Sequence, residues 1–162
     1  MAKSEVTNIF KSSCPEDTAR LAALFAALVQ GGTAVFLEGP IGAGKTFFVR
    51  ELAAALGARR LPVSASFNLM RSYRGRLKLY HFDLFRAGEA DMENIGLDEY
   101  LGRADGITLV EWPGEAGRIF AGLEPLKFEF KLAGGDRRVI TASGPASAHG
   151  LLTALKEAWL KK

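Results

Sequence analysis

Residues 39–46, Gly39-Pro40-Ile41-Gly42-Ala43-Gly44-Lys45-Thr46, fit the pattern G-x-x-x-x-G-K-[ST]. Glycines let a backbone take φ > 0, so that successive N–H groups can converge on an anion. A helix that begins at the end of this loop adds its positive N-terminus to the same place. Lys45 then supplies a mobile positive charge for β- and γ-phosphates, and Thr46 a hydroxyl ligand for Mg²⁺. The chemistry this spacing suits is the binding of a nucleotide triphosphate.

Such a loop needs a carboxylate on a neighbouring strand to hold the Mg²⁺ shell, and a group that orients the attacking water. Two acids follow apolar runs and so sit at expected strand ends, where ligands collect in open α/β sheets. Glu111 follows Ile107-Thr108-Leu109-Val110, and Asp83 follows Leu79-Tyr80-His81-Phe82. The pattern alone does not decide which acid takes which role. His81 lies two residues before Asp83, so the two share one strand face. A core histidine would show the same spacing. Ser64-Ala65-Ser66-Phe67 is a hydroxyl-rich stretch that reads either as a solvent turn or as a segment that senses the γ-phosphate.

These residues need a scaffold. Thr33 to Leu37 is a short apolar run after two glycines and reads as a buried strand leading into the loop. Lys45 to Leu56 reads as the helix that follows, stopped by Gly57. Ahead of them, Ser13-Cys14-Pro15-Glu16 fits a capping box with Ser13 as the cap. Leu21, Leu24, Phe25 and Leu28 then recur at helical spacing. Asn68 to Tyr73 and Arg76 to Phe82 read as a hairpin turning near Arg74-Gly75. Glu89 to Leu101 reads as one or two short acidic helices, and Gly106 to Trp112 as another buried strand. Leu126 to Leu132 and Arg137 to Ala142 flank a turn at Ala133-Gly134-Gly135-Asp136, and Ala148 to Leu160 closes the chain as an amphipathic helix. A strand, loop and helix at the start predict an α/β fold like that of P-loop NTPases. Such a fold is a three-layer sandwich around a mostly parallel sheet, here with antiparallel hairpins added.

Composition sets the bounds. The 162 residues suit one domain, and 48% hydrophobic with 24% charged residues is ordinary for a folded globular chain. Disorder throughout and coiled-coil fibres are excluded. One cysteine, Cys14, allows neither an intrachain disulfide nor a cysteine-rich zinc site. The first eleven residues carry no secretory pattern, and the uncharged run Leu21 to Leu37 is broken by Gln30-Gly31-Gly32-Thr33. A cytoplasmic chain with no membrane contact is expected. The net charge of +3 is divided unevenly: residues 1–81 carry 11 basic and 5 acidic side chains, residues 82–162 carry 10 and 13. Two solvated faces or a polar partner surface both fit this division.

Taken together, the motifs resemble the TsaE family (also called YjeE), small bacterial P-loop ATPases needed for threonylcarbamoyladenosine modification of tRNA. The resemblance rests on Gly39 to Thr46, Ser64 to Phe67, His81 to Arg86, Gly96-Leu97-Asp98-Glu99-Tyr100 and Glu111-Trp112, in that order and spacing. It implies that Thr46 and Glu111 bind Mg²⁺, and that Asp83 positions or activates water. Lys45, Asp83 and Glu111 become the catalytic set. Thr18, Gly39, Ile41, Gly42, Ala43, Gly44, Lys45, Thr46 and Phe47 become the ATP/ADP-binding set, with Thr18 on the base side. Ser64, Ser66, His81, Arg86 and Trp112 become switch or partner residues. The partners implied are the TsaD and TsaB proteins, with tRNA reached through their complex. Three residues depart from the family pattern: Ala65 replaces its proline, Ser66 its threonine, and Phe85 its tyrosine.

Other readings share the phosphate loop. A small-molecule kinase would need an acceptor site and an arginine-rich lid, which the stretch between Gly57 and Gly106 does not show. A nucleotide-gated binding module, or an RNA binder using Arg71 to Lys78, would need no hydrolysis at all. No N-K-x-D guanine-reading segment is present, and the preference for ATP rests on the resemblance.

Overall fold

A computed structural model describes residues 5–62, 69–88, 91, 94–114 and 124–161. Seven strands form one sheet: β1 (Val6–Ser12), β2 (Ala34–Glu38), β3 (Met70–Arg74), β4 (Lys78–Asp83), β5 (Gly106–Glu111), β6 (Leu126–Leu132) and β7 (Arg138–Gly144). Their spatial order is β1-β7-β6-β2-β5-β4-β3. The central strands β6, β2, β5 and β4 run parallel. The two hairpins extend this core antiparallel, with β3 at one edge and β7 then β1 at the other. The α/β class, the parallel centre and the added hairpins are as the sequence predicts.

Three helices, α1 (Pro15–Leu28), α2 (Lys45–Ala55) and α3 (His149–Leu160), pack on one face of the sheet. Strand alternation makes that face. Val35 and Leu37 of β2, Ile107 and Leu109 of β5, and Phe128 and Phe130 of β6 all bury there, with Phe25, Phe48, Leu52 and Leu152 from the helices. Phe128 anchors the layer, its ring 5.2 Å from both Phe25 and Phe48. On the opposite face Phe36, Tyr80, Phe82 and Val110 bury against Leu84 and Leu97, the latter in a short 3-10 turn (Leu97–Glu99).

Two local features differ from the sequence reading. The cap of α1 is Cys14, one residue later than the expected Ser13, and its side chain makes no cap bond. The Asp17 carboxylate, not Glu16, reaches back and accepts from the Ser13 N–H at 2.7 Å. Pro15 fixes the first helical residue and so moves the boundary. The strand β1 is not signalled by apolar alternation. Its inward positions alternate Val6, Asn8, Phe10, Ser12, while Ile9 stands outward and half exposed, so apolarity does not follow the pleat. Between Glu89 and Leu101 the described residues hold a helical stretch around Asp91 and Asn94 besides the 3-10 turn.

Candidate functional site

The phosphate loop leaves the C-terminal end of β2 and enters α2 at Lys45. Gly39 is required by space as well as by conformation: its φ is 137°, and a Cβ would stand 2.4 Å from the Phe130 carbonyl oxygen. Gly44 caps α2 at φ 103°, in open space, where only its backbone freedom is used. Ala43 is fully buried beneath the loop.

Lys45 is 4% exposed. Its ammonium donates to the carbonyls of Gly39 (2.6 Å) and Pro40 (2.9 Å) and lies 4.0 Å from the Trp112 ring centroid. Burial pushes this amine below the usual lysine range, against the opposing pull of Glu111 and Asp83. The charge is therefore short of water, and an anion entering the loop meets it at reduced dielectric.

Glu111 ends β5, and Asp83 ends β4 directly beside it in register. The Thr46 hydroxyl donates to the Glu111 carboxylate, at 3.0 and 3.1 Å from its two oxygens. His81 Nε2 lies 2.8 Å from Glu111 Oε1, with both side chains 2% exposed. Asp83 Oδ1 accepts from the Phe85 N–H, and Oδ2 accepts no hydrogen bond among the described residues. The chain then turns sharply at Trp112, whose φ of 56° is the one left-handed value outside glycine among the described residues. That turn lays the indole over Lys45 and 4.8 Å from the Phe85 ring, itself half exposed.

These groups line one cavity of about 550 Å³. Of the residues singled out from sequence, Thr18, Ile41, Gly42, Gly44, Lys45, Thr46, Phe47, Asp83, Glu111 and Trp112 reach its wall. Gly39 acts one step back, as an acceptor for Lys45, and His81 stands behind Glu111. Thr18 is nearly buried, and its hydroxyl is 2.8 Å from that of Ser12. Arg86 is exposed and does not line the cavity. Ser64 and Ser66 lie outside the described residues. The wall also takes Pro15, Asp136 and Arg138, which the sequence reading left out. Asp136 comes from the β6–β7 turn and Arg138 from the first position of β7, ninety or more positions beyond the loop, and neither carries a local signal.

The donor set suits Mg²⁺. A threonine hydroxyl and a carboxylate are hard oxygen donors, and Mg²⁺ is held by one or two protein oxygens with phosphates and waters. Among the described residues no group of three His, Cys, Asp or Glu side chains is placed to cage a metal without such help. Also among them, no helix is long and apolar enough to cross a membrane.

Comparison with known proteins gives the chain's relatives. The family model "Threonylcarbamoyl adenosine biosynthesis protein TsaE" matches residues 12–140. A tRNA threonylcarbamoyladenosine biosynthesis protein TsaE from Bacillus subtilis (strain 168) is 40% identical over 141 residues, covering 85% of this chain and 86% of that protein. Its counterpart from Treponema pallidum (strain Nichols) is 39% identical over 102 residues, 62% of this chain and 75% of that one. A crystal structure of Bacillus subtilis YdiB superposes with a TM-score of 0.78 at 32% identity, covering 97% of each chain.

Proposed function

The chain belongs to the TsaE family, and from that premise we propose that it is a Mg²⁺-dependent ATPase serving formation of the threonylcarbamoyl group on adenosine 37 of tRNA. In this reading it hydrolyses ATP to drive or reset a complex of TsaB and TsaD proteins in the cytoplasm. It meets tRNA through that complex. The observation that carries the reading is the convergence of Lys45, Thr46, Asp83 and Glu111 on one cavity at the ends of β2, β4 and β5.

The residues divide the work. Backbone N–H groups between Gly39 and Thr46 and the N-terminus of α2 receive the phosphates. Lys45 exchanges its two carbonyl partners for phosphate oxygens. Thr46 and Glu111 would hold a Mg²⁺, which would supply neutralisation of the phosphate charge. Asp83, with one oxygen fixed by the Phe85 N–H, orients the attacking water and accepts its hydrogen bond. Water oxygen bonds to the γ-phosphorus, the bond to the bridging oxygen breaks, ADP leaves with the electron pair, and the water's two protons depart with the inorganic phosphate.

Phosphate release from Mg-ATP tests the reading, with the protein alone and with TsaB and TsaD. Slow release that rises when the partners are added is the expected result. Turnover only when a metabolite acceptor is supplied would replace this reading with a kinase.

A further inference from the structure

We propose that Arg138 is a positioning residue of the nucleotide site, holding the phosphate loop in its anion-receiving shape from the β6–β7 hairpin; the proposal rests on the reading of that loop given above. The guanidinium donates to four carbonyls on two separate segments. Two belong to the loop: Ala43, from Nε at 3.1 Å, and Gly42, from Nη2 at 3.3 Å. Two belong to its own hairpin: Gly135 at 2.7 Å and Arg137 at 2.8 Å, both from Nη1. Arg138 forms no ion pair among the described residues, and it lines the cavity with Asp136.

The geometry of an anion nest explains why this matters. When successive N–H groups turn inward to a phosphate, their carbonyls turn outward and need donors of their own. Gly42 and Ala43 are at the centre of the loop, and Arg138 supplies those donors. A planar fork of five N–H groups reaches the two loop carbonyls and the two hairpin carbonyls at once, more than the three donors of a lysine ammonium can serve. The support behind Arg138 is firm. It pairs in register with Ser12 of β1 and Leu132 of β6. Ser12 in turn bonds Thr18 on the base side of the cavity. Loop, hairpin and the start of α1 are thereby tied into one wall.

The test measures ADP affinity by calorimetry and amide hydrogen exchange across residues 42–46 in the nucleotide-free protein, for Arg138→Met and Arg138→Lys. Leu155→Val, which loosens the core beneath α3, serves as the control for lost stability. Arg138→Met is expected to raise the Kd for ADP about tenfold, the equivalent of about 1.4 kcal/mol. It is also expected to speed exchange in the loop. Arg138→Lys falls between, and Leu155→Val changes neither. Affinity within about twofold of wild type together with unchanged exchange would overturn the proposal. So would equal effects from Leu155→Val, which would reduce Arg138 to general stability. If wild-type protein bound no adenine nucleotide, the functional reading would fall, while the exchange arm would still decide whether Arg138 shapes the loop.

Discussion

His81 and Glu111 face one another across neighbouring parallel strands, Nε2 to Oε1 2.8 Å, each 2% exposed. A carboxylate this deep must be hydrogen-bonded or it costs the fold heavily. Among the described residues, His81 and the Thr46 hydroxyl are the side chains that bond it. A ring held against one oxygen fixes the direction of the other, which is how a second residue tunes a metal ligand. His81→Leu should therefore lower phosphate release about 10–100-fold and raise the Mg²⁺ concentration needed for half activity. The buried acid left with one donor should also cost about 1–3 kcal/mol of stability. His81→Gln, which restores an N–H donor, should recover part of both. A Mg²⁺ titration of the three proteins decides this; identical half-activity points would remove His81 from the site.

Lys45 and Asp83 should separate binding from hydrolysis. Lys45→Ala removes the charge that meets the phosphates, and it should abolish nucleotide binding or turnover. Asp83→Ala leaves the loop intact, so ADP affinity should stay within about threefold while hydrolysis falls by about 10²–10⁴. Calorimetry with ADP and a phosphate-release assay give the two readings. Equal hydrolysis by Asp83→Ala and wild type would end the role given to Asp83.

Trp112 should report occupancy of the cavity. Its ring lies over the Lys45 ammonium at 4.0 Å, and that ammonium must leave the Gly39 and Pro40 carbonyls to reach a phosphate. The chain has two tryptophans, and Trp159 packs on α3 against Phe10 and does not line the cavity. In a Trp159→Phe background, adding ADP should therefore shift or quench the remaining emission with a midpoint equal to the calorimetric Kd. A flat titration at saturating ADP would mean that Lys45 stays where it is.

The site was legible from sequence wherever its parts are local. Gly39 to Thr46, Asp83 and Glu111 announce themselves through glycine spacing and through acids that end apolar runs. What was hidden depends on the register of distant strands. Arg138 and Asp136 reach the cavity only because β7 and β6 continue the sheet beyond β2, a pairing that no short window of sequence encodes. β1 is hidden in the sequence for a different reason. Asn8 faces inward to donate to the Leu152 carbonyl, while Ile9 faces out, which inverts the usual apolar alternation. The cap of α1 moved by one residue because the fixed φ of Pro15 outweighed the side-chain preference of Ser13.

Asp105 predicts how stability responds to acid. It sits just before β5, where Arg103 Nε donates to one oxygen at 3.0 Å, Lys78 to the other at 2.8 Å, and the Tyr80 hydroxyl lies 3.0 Å away. The hydrogen bonds from Arg103 and then Lys78 hold this carboxyl well below the usual carboxylate range. A depressed folded-state pKa means that the ionised acid is favoured in the fold. Its contribution is fully present above the unfolded value of 3.8 and is lost as pH falls toward the folded one. The group is exposed, so salt screens the effect and its size is modest. Asp105→Asn should lower the urea midpoint at neutral pH, and the gap from wild type should narrow steadily below about pH 4. It should also shrink at about 1 M salt. A gap that held constant from neutral pH to about pH 2.5 would show that Asp105 acts through packing of the β4–β5 junction and not through its charge.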